Sequence, residues 1–304
     1  MSAGPTSGTA AADPRPAVQP EALGSGLGYM IQAAFWFGLM GLCVKLAGAT
    51  MPTMQIVFAR AIVTLTLSSI GLWRARISPF GDKTGLLLFR GLVGSGGLMC
   101  FYAAVVHLPL AEATVIHQMS PVLTAVLAAM WLREPLQLRV LLGMALALLG
   151  VVLIAQPETL FGGRLHSDLP WQFVAVAVAG AFFAALAYVS VRLLGRTEPP
   201  LRVVFYFPIV TVPLSAPFAL TQWVWPDAGG WALLLGVGAT TQIAQIALTK
   251  GLAREPAGRA MAVGYLQIVF ATLFGAVIFA ALPGIWSWFG IAAIVASLFV
   301  ATRR

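Results

Sequence analysis

Charged side chains are scarce in this sequence. Lysine, arginine, aspartate and glutamate make up 9% of the 304 residues, whereas hydrophobic residues make up 60%. Soluble domains contain about 25% charged residues, and a single water-soluble core of this size has too little interior to hide so much apolar surface. The scarcity of charge therefore excludes an ordinary soluble protein and predicts that lipid surrounds most of the chain.

Cysteine and histidine are also rare, which excludes the common metal sites. Cys43 and Cys100 both lie in apolar runs, where we expect small packing residues and no disulfide. The histidines, His107, His117 and His166, form no His-Glu-x-x-His pattern, and no acidic residue is expected inside a membrane span. Without paired carboxylates or clustered ligands, the sequence predicts no metal, no cofactor and no enzymatic activity.

The basic residues are not arranged for nucleic acid. The net charge of +8 is spread singly or in pairs between apolar runs, with no stripe that follows a phosphate backbone. Residues 1–25 are rich in proline, alanine, glycine and serine and lack the apolar region of a signal peptide. We predict that they form a disordered cytoplasmic tail.

Ten apolar runs are long enough to cross a membrane, since a hydrocarbon core of about 30 Å needs about 20 residues per helix. The predicted spans are 27–47, 54–73, 84–106, 112–132, 138–155, 170–192, 201–221, 230–250, 258–280 and 284–302. With a cytoplasmic N-terminus, 15 of the 18 lysines and arginines, Arg90 among them, fall on the cytoplasmic side. The positive-inside rule thus predicts a multi-pass protein of the cell inner membrane with both termini in the cytoplasm.

The two halves of the chain resemble each other weakly. "TVIHQMSPVLTAVLAAMWLREP" and "MAVGYLQIVFATLFGAVIFAALP" each begin with a polar third, continue as an apolar stretch and end at a proline. We predict five-helix repeats over 26–156 and 168–304. Because five is odd, the second copy enters the membrane upside down, and inverted repeats are typical of secondary transporters with a site near the bilayer midplane. A duplication that only builds a stable bundle is the alternative.

Two further stretches carry a resemblance to a known family. "FGLMGLCVKLAGATMPTMQIVFARAIVTL" and "YAAVVHLPLAEATVIHQMSPVLTAVLAAMWLREPL" resemble the opening and the third and fourth helices of EamA-type transporters of the drug/metabolite transporter superfamily. The second half departs from the pattern, because "AALPGI" lacks the counterpart of Glu134 and Ile268 stands where Pro121 predicts a proline. The resemblance implies an all-α integral membrane protein with ten transmembrane helices, two inverted five-helix repeats and a central cavity. It also implies secondary or facilitative transport of small metabolites.

Two basic residues lie in the non-cytoplasmic half of the predicted bundle. Lys45 is near the outer end of the first span, and Arg60 lies about seven residues into the second. A charge at the bilayer centre costs about 3 kcal/mol or more, so each must face protein or water. One interpretation is that Lys45 extends to the interface and Arg60 bonds carbonyls. The other is a cationic vestibule that binds a carboxylate or phosphate, with Arg60 as a bidentate fork.

Polar and aromatic residues inside the spans are the remaining candidates for substrate binding. Pro121 is expected to kink the fourth span, and backbone opened at that depth needs cavity water or neighbouring groups. The candidates of the outer half are Tyr102, His117, Gln118 and Ser120, and those of the inner half are Tyr188, Gln242, Gln245, Tyr265 and Gln267. Trp36 on the first span is a further candidate, as part of an aromatic wall against the cargo, with simple packing as the alternative. Any of the polar side chains can instead form a hydrogen bond between helices. If protons are coupled to transport, His117 is the only expected carrier inside a span.

These observations predict a transporter of small polar organic metabolites, with amino acids or related carboxylates as the first choice because of Lys45 and Arg60. The alternative cargoes are S-adenosylmethionine, nucleotide conjugates and drug-like cations. An alternative of another class is a membrane-embedded enzyme or a lipid flippase. The expected partners are a small-molecule substrate and the lipid bilayer, with no nucleic acid, and the protein is expected to be a monomer or a homodimer.

Overall fold

The computed structural model describes residues 25–161, 169–280 and 282–303, and all regular secondary structure within them is helical. Residues 1–24 of the predicted tail, together with Arg164 and His166, lie outside these ranges. The helix bounds in chain order are α1 Ser25–Ala47, α2 Thr53–Arg74, α3 Thr84–His107, α4 Leu110–His117, α5 Ser120–Leu132, α6 Leu138–Ala155, α7 Glu158–Phe161, α8 Trp171–Leu194, α9 Pro200–Thr221, α10 Ala228–Arg254, α11 Ala257–Gly264, α12 Leu266–Phe279 and α13 Ile285–Thr302.

Ten spans in this part of the chain are long and apolar enough to cross a membrane, and all ten predicted spans are confirmed to within four residues at either end. Helices α4 and α5 together form the fourth span, and α11 and α12 form the ninth. We call the face at which the even-numbered spans end the basic face, because it corresponds to the predicted cytoplasmic side.

Large apolar side chains cover the outside of the bundle. Tryptophans are exposed near the ends of the spans: Trp73 ends α2 with 80% of its surface exposed, Trp171 starts α8 with 74% exposed, and Trp286 and Trp288 start α13. Indole rings prefer the boundary between lipid and water. The helix interfaces in the interior instead contain small residues and polar side chains, as expected when the solvent is lipid.

The helix packing has the pattern of a twofold axis. Each helix of the first half corresponds to one about 147 residues later, so that α2 matches α9, α3 matches α10 and α6 matches α13. Each contact has a counterpart between the matching helices. The packing of α1 on α10 corresponds to that of α8 on α3, and the packing of α2 on α10 corresponds to that of α9 on α3. The α2–α9 and α6–α13 pairs each join matching helices. Because each copy has five spans, the two copies run in opposite directions.

Glycines allow several packed helices to approach closely. Gly150 on α6 faces the carbonyl oxygen of Gly290 on α13, and a Cβ at Gly150 would lie 2.6 Å from that oxygen. On α3, an added Cβ at Gly97 would lie 3.1 Å from the Gly180 carbonyl oxygen of α8, and Gly91, Gly94 and Gly96 of the same helix also lie against neighbouring helices.

We predict that Gly150→Ala separates α6 from α13 and destabilises the protein by about 1–3 kcal/mol, the usual cost of overpacking. The measurement is the Tm of the purified protein in detergent. Gly275→Ala on α12 is the matched control, because nothing lies within 4 Å of its added methyl group. An unchanged Tm for Gly150→Ala would contradict the close packing described here.

Candidate substrate pathway

The fourth and ninth spans are broken at matching positions near the middle of the membrane. Helix α4 ends at His117 and α5 begins at Ser120, while α11 ends at Gly264 and α12 begins at Leu266. Pro121 lies in the first turn of α5 and lacks the N–H that would bond the His117 carbonyl. The ninth span breaks without a proline, so the departure at Ile268 noted in the sequence does not remove the break.

The two breaks are joined by hydrogen bonds. The Tyr265 hydroxyl, fully buried, donates to the Gln118 backbone oxygen at 2.8 Å, and the Gln267 amide donates to the Gln118 side-chain oxygen at 3.4 Å. The sequence suggested two polar clusters at separate depths, one per repeat. The structure brings them together at the repeat interface. Each break lies about 12 Å from the start of its span, the two spans enter from opposite faces, and the long Tyr265 and Gln267 side chains bridge the remaining difference in depth.

These residues surround a small central cavity. Its polar lining comes from His117, Gln118, Ser120, Tyr188 and Gln267, and the rest comes from apolar residues of α1, α5, α10 and α11 such as Phe37, Pro121 and Leu248. The cavity has a volume of about 30 Å³, which is the share of one water molecule, whereas small-molecule sites usually measure about 300 Å³ or more. In this conformation the central cavity is large enough for water but too small for a metabolite.

A second polar group lies between α2, α3, α9 and α10. The guanidinium carbons of Arg60 and Arg90 lie 6.0 Å and 4.7 Å from the centre of the Phe207 ring, and so within 10.7 Å of each other. Arg60 is 8% exposed and Arg90 is 3% exposed. Arg60 lies about 10 Å along α2 from its start, and Arg90 about 9 Å along α3 from its own, so both are at hydrocarbon depth.

Neither arginine forms an ion pair with a described residue. Arg90 donates one hydrogen bond, from Nη2 to the Gln245 side-chain oxygen at 3.1 Å. The Arg60 Nη2 atom and the Arg90 Nε and Nη1 atoms are buried without a hydrogen-bond partner among the described residues. Two like charges at this separation repel by about 1.5 kcal/mol at an effective dielectric constant of about 20. An anion between them would relieve both the repulsion and the unmet donors.

The structure corrects the prediction for Arg90, which was counted from the sequence only among the cations on the cytoplasmic side. It lies six residues inside α3 and is buried. The depth argument applied to Arg60 was available for Arg90, since the third span begins at Thr84. Glu112 is a second correction: α4 begins at Leu110, directly after Pro109, so a buried carboxylate does lie within the first turn of the fourth span.

The other sequence candidates are distributed around these two groups. Tyr188 lines the central cavity and is within electrostatic range of Arg90, while Tyr102 is within electrostatic range of Arg60. Lys45 is exposed, with its ammonium 4.4 Å above the Phe279 ring, so Lys45 and Arg60 contact different aromatic rings. Trp36 packs edge-on against Phe35 and is not part of the cavity lining.

Some interior polar residues join helices and do not face the cavity. Gln242 and Ser68 form reciprocal hydrogen bonds of 2.9 Å and 3.1 Å between α10 and α2. Ser95 and Thr211 share one of 2.8 Å between α3 and α9, the contact that corresponds to α10 and α2 under the repeat. For Gln242 the interhelical interpretation therefore fits the structure better than substrate binding.

On the basic face, ion pairs bridge the two repeats. Glu134 after the fourth span accepts from Arg192 of α8 at 2.7 Å and from the Ala257 backbone N–H of α11 at 2.7 Å. Arg192 also donates to the last carbonyls of α10, at Leu252 and Ala253. The Glu198 carboxylate accepts from the Lys83 backbone N–H at 3.1 Å and pairs with Arg202. Sequence reasoning noted Glu134 only as part of a family pattern and did not pair it with Arg192.

The fold agrees with the comparisons to known proteins. The sequence model of the EamA-like transporter family matches residues 24–156 and, a second time, residues 171–303. The chain belongs to the EamA-like transporter family.

Among its EamA-like relatives, the chain is 30% identical over 262 residues to the pseudopaline exporter CntI of Pseudomonas aeruginosa, across 86% of this chain and 90% of that protein. It is 30% identical over 290 residues to solute carrier family 35 member G1 of Homo sapiens, across 90% of this chain and 78% of that protein. One solved crystal structure superposes with a TM-score of 0.80 at 21% identity, over 92% of this chain and 96% of that one, and so shares the fold. The protein is a multi-pass membrane transporter.

We predict that Tyr265→Phe destabilises the transporter, because the Gln118 carbonyl loses its partner at membrane depth. Hydrogen bonds between membrane helices contribute about 0.6–1.7 kcal/mol, which corresponds to a fall in Tm of about 1–7 °C. Tyr206→Phe is the control, since the Tyr206 hydroxyl makes no side-chain hydrogen bond to another described residue. Equal Tm values for the two variants would show that the Tyr265–Gln118 bond does not join the breaks.

We predict a larger loss for Glu134→Gln. Its partner Arg192 has only 12% of its side chain exposed, and removing one member of a buried ion pair costs about 3–5 kcal/mol. The Tm of Glu134→Gln should fall well below that of Glu158→Gln, which changes an exposed carboxylate on α7. The double variant Glu134→Gln/Arg192→Gln should recover part of the loss, and strict additivity of the two single changes would contradict the pairing.

Proposed function

We propose that this EamA-like transporter moves small organic molecules that carry a carboxylate, namely amino acids and related carboxylates, across the cell inner membrane by alternating access. The single observation that supports the cargo class is the Arg60 guanidinium. It is more than nine-tenths buried at hydrocarbon depth, has an unpartnered Nη2 atom and forms no ion pair with a described residue. A guanidinium in such surroundings needs an anion, and its planar fork matches a carboxylate.

The same charge argues against the cationic cargoes considered from the sequence. A drug-like cation on this route would pass two buried arginines and would be repelled by both. An amino acid or carboxylate would instead replace water at the central cavity and present its negative group to Arg60. The side chains available to hold its polar parts are those of Tyr188, His117 and Gln267.

The route requires movement of the two repeats. The central cavity is about tenfold smaller than a usual ligand site, and the Glu134–Arg192 pair joins the repeats on the basic face. Release on that face requires this pair to separate, and the broken fourth and ninth spans supply the points about which half-spans can tilt. We assign the basic face to the cytoplasm, in accordance with the charge distribution.

The test is uptake of a panel of radiolabelled amino acids and organic acids into proteoliposomes. For each transported carboxylate, Arg60→Gln should lower the initial rate at least tenfold, since a charge-assisted hydrogen bond contributes about 1.5–3 kcal/mol. Arg60→Lys keeps the charge but not the fork, and should give an intermediate rate. Arg74→Gln, an exposed arginine at the end of the same helix, is the matched control. Undiminished carboxylate flux in Arg60→Gln overturns the proposal.

A further inference from the structure

Arg90 gives the transporter a second buried cation that the proposed function leaves unused. Arg90 is only 3% exposed, its guanidinium carbon lies 4.7 Å from the centre of the Phe207 ring, and its Nε and Nη1 atoms have no hydrogen-bond partners among the described residues. The single hydrogen bond to the neutral Gln245 amide leaves its charge uncompensated. A residue that served only to join helices would be expected to use more of its five donors.

Arg60 and Arg90 are positioned as a pair. Both face Phe207, which occupies in α9 the position that Arg60 occupies in α2, 147 residues earlier. The two guanidinium carbons lie within 10.7 Å of each other, and each guanidinium reaches a carboxylate carbon about 4 Å away, allowing for one hydrogen bond. A molecule with carboxylates separated by two to four methylene groups therefore has the length to engage both forks at once.

The two arginines come from the first repeat, whereas Phe207 and Gln245 come from the second. The pair therefore lies across the surface along which the repeats move. Tyr188, within electrostatic range of Arg90, also lines the central cavity. Tyr188 thus connects the surroundings of Arg90 with the route that the proposed function assigns to the cargo.

We propose that Arg90 is a specificity-determining residue, and that the preferred cargo is a small molecule with two carboxylates, one bound by Arg60 and the other by Arg90. This inference rests on the proposed function, because it assumes that Arg60 binds the first carboxylate. A cargo with a single carboxylate leaves Arg90 uncompensated and binds more weakly.

The experiment measures binding of matched probes to the purified full-length protein in detergent by isothermal titration calorimetry. The dicarboxylates are succinate, glutarate and adipate, and each is compared with the monocarboxylate in which one carboxylate is replaced by an amide. We expect the best dicarboxylate to bind at least tenfold more tightly than its monoamide. Arg90→Gln should abolish this preference while changing the affinity for the monoamide less than twofold.

Control variants separate a specific role from a structural one. Arg90→Lys keeps a positive charge and should retain part of the preference, and Arg74→Gln should retain all of it. Each variant is first shown to be monodisperse and to have an unchanged helical circular dichroism spectrum. If the Arg90→Gln protein does not pass this check, the Arg90→Lys protein decides, and an unaltered preference in it overturns the inference.

Each outcome has a distinct meaning. If no carboxylate binds the unaltered protein, both the proposed function and this inference are overturned. If carboxylates bind through Arg60 but Arg90→Gln leaves the ratio of dicarboxylate to monoamide affinity unchanged, only this inference is overturned. If chloride or sulfate competes as well as the dicarboxylates do, the pair is a counter-ion site, and the inference is again overturned.

Discussion

The whole structure depends on one constraint: in lipid, a polar group must find its partner inside the protein. Unsatisfied backbone groups in hydrocarbon cost several kcal/mol, so eight of the ten spans are continuous helices. The two exceptions are informative. The fourth and ninth spans break at the repeat interface, where the Tyr265 hydroxyl satisfies the Gln118 carbonyl and the cavity admits water. Irregular backbone occurs where the fold provides partners for it.

Charge in the interior follows the same constraint, with one departure. The carboxylates Glu134 and Glu198 on the basic face are held by arginines and by backbone N–H groups. Arg60 and Arg90, by contrast, share an aromatic ring and have no carboxylate in ion-pair distance among the described residues. Buried cations that lack protein counter-charges are characteristic of sites whose counter-charge arrives with a ligand.

The inverted repeat relates the contacts of the two halves. Each packing contact that a helix of one repeat makes has a symmetric counterpart made by the matching helix of the other, which is the arrangement found in inverted-repeat transporters. The polar side chains do not obey this symmetry: both buried arginines belong to the first repeat, and Phe207 takes the place of Arg60 in the second. The helix packing is therefore symmetric, whereas the arrangement of buried charge is not.

The sequence alone determined the ten spans, the repeat and the family, because helix length and hydropathy in lipid are local properties that a linear pattern contains. It also identified Arg60, since a charge within an apolar run is visible without a fold. Tertiary structure decided what these side chains face. Gln242 bonds Ser68 across 174 positions, Tyr265 reaches Gln118 across 147, and Arg90 meets Phe207 rather than the cytoplasm. The pairing of polar groups depends on the rotation of each helix about its own axis. This rotation is set by packing against helices that are distant in sequence.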